Sequence, residues 1–166
     1  MPLRIACLLL VSLLAFGQAT VSEVDELEFF TISYEVTLAA ATGAFSLQAP
    51  ANSGRRIYLK SAMVYCSVAC TINQDRNGTA ATTTLLTPSV RINGSTSTAV
   101  AKAYGPSNAG TGGTLPTLVL AAGEKLAMDM SYSAFGRGSS AAQNHNFRVN
   151  AITGIFRVSA IWAEKP

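Results

Sequence analysis

Hydrophobic and polar residues alternate along much of this chain. Phe30, Ile32, Tyr34, Val36 and Leu38 fall on one side of an extended segment. Thr31, Ser33, Glu35 and Thr37 fall on the other. A period of two built from aromatic and β-branched residues predicts a half-buried strand over 29–38. Leu126, Met128, Met130 and Tyr132 repeat the pattern over 126–132. Residues 56–74 are apolar on both sides as Cys66 approaches, which predicts a central strand. Shorter strands are predicted over 44–48, 79–86, 90–92, 98–104, 115–120, 147–152 and 155–162. A turn is expected at 39–43 and a break at Thr153-Gly154.

The turn chemistry agrees with this reading. Asn77-Gly78 is the preferred pair for a two-residue hairpin, and predicts that 79–86 returns against 71–76. Asn93-Gly94 marks a second turn. Many short strands and no amphipathic helix place the chain in the all-β class, as an antiparallel β-sandwich. The strand count favours a jelly-roll-like arrangement. An immunoglobulin-like one is disfavoured because the Cys-Trp-Cys spacing of that fold is missing.

The first residues follow a different rule. Arg4 supplies a positive charge, 5–16 are almost wholly apolar, and Gly17-Gln18-Ala19 offers a small-residue cleavage site. That is the secretory signature, and the apolar run is short of the roughly 20 residues a spanning helix needs. The alternative is an uncleaved anchor. The chain therefore divides into a signal peptide (1–19), an acidic arm (20–28) and a single β domain (29–166), with no membrane span in the mature protein. The expected location is secreted or extracellular, meaning periplasm or cell surface in a bacterium.

Loss of the signal peptide removes Cys7 and leaves Cys66 and Cys70. Export favours a disulfide between them. Straight strand would hold their Cα atoms roughly 13 Å apart, so an intrachain bond requires a turn at Ser67-Val68-Ala69. Free thiols or a bridge to another chain are the alternatives.

Charge is more informative in its distribution than in its total of +3. Glu23, Asp25, Glu26, Glu28 and Glu35 hold five of nine acidic residues, whereas the chain from Val36 onward carries a net +7. The total is too weak to suggest nucleic acid. An acidic arm ahead of a basic body is either a solvated leader or a segment that docks on a basic face, its own or a neighbour's.

Candidate chemistry is thin. The single histidine, His145, reads as an exposed loop residue without a nucleophile or an orienting acid beside it. One histidine and a bonded cysteine pair do not supply a zinc site. Asp75-Arg76-Asn77-Gly78 opens like a calcium loop but lacks the later carboxylates. Glu124 and Asp129 would meet His145 only through tertiary structure. Asn77 and Asn93 each begin a glycosylation sequon at a turn. Tyr58, Tyr65, Tyr104, Tyr132, Phe135 and Trp162 are the aromatic candidates for a sugar platform. Tyr104 and Phe135 flank open loops, and with Arg137 and His145 they form the candidate ligand-binding set. No catalytic residue, metal or cofactor is expected.

These residues point to a secreted non-enzymatic structural or interaction module that self-assembles or meets an extracellular protein or glycan. The alternative is a carbohydrate- or other ligand-binding β-sandwich module that uses the 104–115 and 134–146 loops.

Overall fold

A computed structural model describes residues 27–76, 84–86, 90–91, 99–105, 113–136 and 138–165. The proposed signal peptide, most of the acidic arm, Asn77, Asn93 and Arg137 lie outside the described residues. The described chain is all-β, with strands β1 (Glu28–Ala49), β2 (Arg56–Cys66), β3 (Cys70–Arg76), β4 (Leu85–Leu86), β5 (Val90–Arg91), β6 (Lys102–Tyr104), β7 (Gly113–Thr114), β8 (Leu118–Leu120), β9 (Lys125–Gly136) and β10 (Gln143–Lys165). Every pairing among them is antiparallel.

Two long strands organise the molecule. β1 and β10 pair along their whole lengths, from Glu28↔Glu164 to Ala49↔Gln143. The sequence predicts two strands in each of these stretches, and the structure corrects this. The chain bends at 38–43 and again at 149–154 without leaving the ladder. Ala40 takes a positive φ of 52° at the bend, and its N–H donates to Thr153 Oγ1 at 3.0 Å. Both partners bend together, so the pairing survives what looks in sequence like a turn.

The neighbouring strands bend at the same level. β2 lies beside the second half of β10, and β3 lies beside the first half. The crossing between them is the Cys66–Cys70 loop, whose Ser67 N–H donates to the Ile155 carbonyl at 2.9 Å while Ser67 Oγ accepts from Ile155 N–H at 2.8 Å. The cysteine sulfurs sit at disulfide distance with Cα atoms 6.4 Å apart. This is the local turn that C-x3-C spacing demands. β9 and β8 continue outward from β2 and β3, joined by a turn at 121–124.

The result is a sheet folded across one line. A straight strand would keep residues 34 and 45 roughly 36 Å apart, yet the Tyr34 and Phe45 rings are 6.2 Å apart. Phe45 also meets Phe147, and Phe30 stacks on Trp162 at 5.7 Å. Phe30, Phe45, Phe147, Phe156 and Trp162 are fully buried, along with Leu47, Leu59, Ile72 and Val158. Each such side chain contributes about 1.5–3 kcal/mol of transfer free energy. Closure leaves no room at Gly105, where a Cβ would lie 2.6 Å from the Tyr34 ring.

The predicted hairpin at Asn77-Gly78 is also corrected. The turn itself lies outside the described residues, but both edges of β3 are taken. Arg76 pairs with His145 of β10 on one side and with Gly113 of β7 on the other. Leu85 and Leu86, expected to return against β3, pair instead with Tyr104 and Ala103 of β6.

Candidate functional site

The four residues expected to bind ligand do not form one solvent-facing set. Tyr104 is half-buried in β6, packed on Ala44. Phe135 stands near the end of β9, before the 137–142 connection as expected, but its side chain is buried in the core opposite Ile57 of β2 and does not face solvent. Arg137 lies outside the described residues. His145 is fully buried in β10 instead of exposed in a loop. It is opposite Leu47 on one side and Arg76 on the other, 4.9 Å from the Phe147 ring, with Nε2 3.4 Å from Gln74 Oε1. Burial, and then the Arg76 charge, lower its pKa from 6.5 to about 4. Glu124 and Asp129 are exposed and therefore do not join it. Among the described residues, no group of three or more His, Cys, Asp or Glu could hold a metal. No described helix is long and apolar enough to cross a membrane.

Three arrangements were not legible in sequence. The first is a basic rim at the start of β2. Arg56 stands directly opposite Lys165, a like-charge pair that costs stability unless an anion is near. Beside it, Arg55 Nη1 donates to Glu28 Oε2 at 2.8 Å. Glu28 is the first residue of β1, so this ion pair sits where the strand begins.

A second arrangement is a polar row across the folded sheet. Tyr104, Ser46, Asn146 and Asp75 are consecutive cross-strand neighbours, which puts their side chains on one face. Ser46, Asn146 and Asp75 are fully buried. Among the described residues neither carboxylate oxygen of Asp75 has a hydrogen-bond partner, and Arg148 Nη2 lies 3.7 Å from Asp75 Oδ2. Glu164 is the counter-example. It is equally buried, but it accepts from the N–H groups of Val100 and Ala101 at 2.9 Å each and from Trp162 Nε1 at 3.1 Å. Glu164 is structural, whereas Asp75 retains acceptor capacity.

The third is the outward face of β1, β10, β2 and β9. One rung runs Glu35–Arg157–Tyr65–Lys125 across all four strands. Arg157 bonds the Glu35 carboxylate and lies 5.5 Å from the centre of the Tyr65 ring. The shared face of these residues follows from those contacts. Their sequence neighbours Tyr34, Val158 and Val64 are buried beneath. No family model matches the chain, and no curated protein or solved structure matches it.

Proposed function

We propose that the protein is exported and acts without catalysis, as an extracellular structural or interaction module that associates with copies of itself. In this reading the acidic arm, residues 20–28, docks on a basic face of its own chain or of a neighbour. The observation that carries this reading is the Glu28–Arg55 ion pair at the junction of arm and body. Glu23, Asp25 and Glu26 would extend the same contact toward Arg56 and Lys165, on the same chain or on a neighbour. The folded sheet is of the jelly-roll-like sandwich type in this reading. A cysteine pair at disulfide distance fits an oxidising compartment.

Size-exclusion chromatography with light scattering tests it, comparing wild type with Glu23→Gln/Asp25→Gln/Glu26→Gln at low and high salt. Wild type associates at low salt. Added salt and the triple substitution both weaken that association, because exposed charges are screened beyond roughly 8 Å at physiological ionic strength. Monomers under every condition would refute self-association, and association indifferent to both changes would refute a role for the arm in it.

The buried Asp75 row favours a second reading, a binding site for a polyhydroxylated ligand. A carboxylate with unused lone pairs, amides and a flanking tyrosine suit vicinal hydroxyls. The row is shut from solvent in the structure, so binding would need an opening step. A glycan array probed with wild type, Tyr104→Ala and Asp75→Asn decides it. Signal lost in both variants supports a ligand site. No wild-type signal ends the reading for carbohydrate.

A further inference from the structure

From the outward sheet face we infer that this surface pairs with the same face of a second copy, about a two-fold axis parallel to the strands. The inference rests on the self-association reading and supplies its geometry. Four strands stand side by side in the order β1, β10, β2, β9. Their outward residues form rungs: Thr31–Ile161–Ser61–Asp129, Ser33–Ser159–Met63–Ala127 and Glu35–Arg157–Tyr65–Lys125, with Thr37–Ile155 beyond.

The two central strands carry Ile155, Ile161, Met63 and Tyr65 interleaved with Ser61, Arg157 and Ser159, all partly exposed. The flanking strands carry Thr, Ser, Glu, Lys and Asp. Apolar side chains interleaved with polar ones, between more polar flanks, fit a non-obligate interface, which is about as apolar as the rest of a protein surface. The charges choose the occupant. A two-fold axis running between β10 and β2, along the strands, lays β1 of one copy over β9 of the other at the same height. Glu35 then faces the other copy's Lys125, and Lys125 faces the other copy's Glu35. Arg157 is set over the other copy's Tyr65 in the same operation. Both ends of one rung are thus mutually complementary under a single symmetry operation, as an isologous contact requires.

The spacing is compatible. Stacked sheets lie about 10 Å apart, a gap that a lysine and a glutamate can bridge from opposite sides. Aligned sheets cross at about 30°, which the long lysine side chain tolerates. The face is small. Four strands and four rungs span roughly 400 Å² per copy by strand spacing. A standard interface buries about 800 Å² per partner. The dimer is therefore weak, forming at high protein concentration and dissociating with salt.

Charge reversal with mixing tests the geometry. Sedimentation equilibrium is run on wild type, Glu35→Lys, Lys125→Glu and an equimolar mixture of the two variants, each first checked for a native circular dichroism spectrum. Each single variant places like charges opposite each other at both ends of the rung, and self-association falls at least about tenfold. The mixture places opposite charges at both ends and recovers association to within about threefold of wild type. Lys125→Glu carries the test alone if Glu35→Lys unfolds, since Glu35 also holds Arg157. Wild type that stays monomeric, or variants that associate as wild type does, would overturn the inference. Single-variant loss without recovery on mixing rejects this axis. Failure of the arm substitutions beside success here would sink the arm and leave the face standing.

Discussion

Glu164→Ala is expected to destabilise the fold by about 4 kcal/mol, the largest loss from any single polar side chain described here. The carboxylate is fully buried and serves three donors at once. Two are backbone N–H groups of Val100 and Ala101, in the segment that leads into β6, and the third is the indole of the buried Trp162. A hydrogen bond to a charged group contributes about 1.5–3 kcal/mol, and a buried donor left unsatisfied costs about 1–3 kcal/mol. The three losses are not additive, because water can enter the space the side chain leaves. Glu164→Gln separates charge from geometry. Its amide oxygen can still accept from Ala101 and Trp162, but its NH2 group faces the Val100 N–H donor to donor. About half the loss is expected. Glu124→Ala is the control. That carboxylate also accepts a backbone N–H, from Ala121 at 2.7 Å, but it is exposed, so its loss stays below about 1 kcal/mol. Urea titrations of the four proteins measure the differences. A Glu164→Ala midpoint indistinguishable from that of Glu124→Ala would show that the three-donor clamp does not hold in solution.

Alternation reads burial correctly only where one face of a strand meets water. Residues 30–38 satisfy that condition, and their inward residues are those the sequence predicts. Further along β1, residues 43–47 are buried on both faces, so the pattern vanishes and the strand looks shorter than it is. The bends at 38–43 and 149–154 look like breaks because small residues and glycine serve both purposes. Only the pairing partner, bending in step, distinguishes them. The Cys66–Cys70 turn was legible because a covalent distance fixes it locally. Asn77-Gly78 misled because a turn signal cannot reveal that both edges of β3 are already paired.

The candidate sites depended on still longer-range information. Glu164 is explained by backbone donors more than 60 residues away. Asp75 sits in a run of five polar residues, Asn73-Gln74-Asp75-Arg76-Asn77, which resembles a loop tip until β10 and β7 close over both sides of Asp75 and Arg76. Glu35 looked like one more charge of an acidic leader, yet Arg157 and Tyr65 place it at the end of a rung. The acidic arm and basic body were visible in sequence as opposite charges. Which cation meets which carboxylate was not, because the Glu28–Arg55 contact depends on where β2 begins.

Acid should weaken this protein as pH falls from 6.5 to 4, and His145 should be the reason. The ring is fully buried beside Phe147 and Arg76. Its folded-state pKa is lowered from 6.5 to about 4, first by burial and then by the arginine charge. The folded protein thus keeps the imidazole neutral where the unfolded chain would protonate it. The sign follows from linkage: the unfolded state binds more protons between pH 6.5 and pH 4, so stability falls as pH falls through that window. Above about pH 6.5 the contribution is complete. By pH 4 the loss approaches about 3 kcal/mol. His145→Phe removes the titrating group while keeping an aromatic ring against Phe147 and Leu47, so its urea midpoint should fall much less across the window than that of wild type. Arg76→Gln should move the His145 midpoint part of the way back toward 6.5, because it removes the smaller of the two causes and leaves burial in place. Imidazole chemical shifts followed by NMR report that midpoint directly, independent of overall stability. If His145→Phe loses stability between pH 6.5 and pH 4 as steeply as wild type, the imidazole is not buried neutral, and the acid response belongs to other groups.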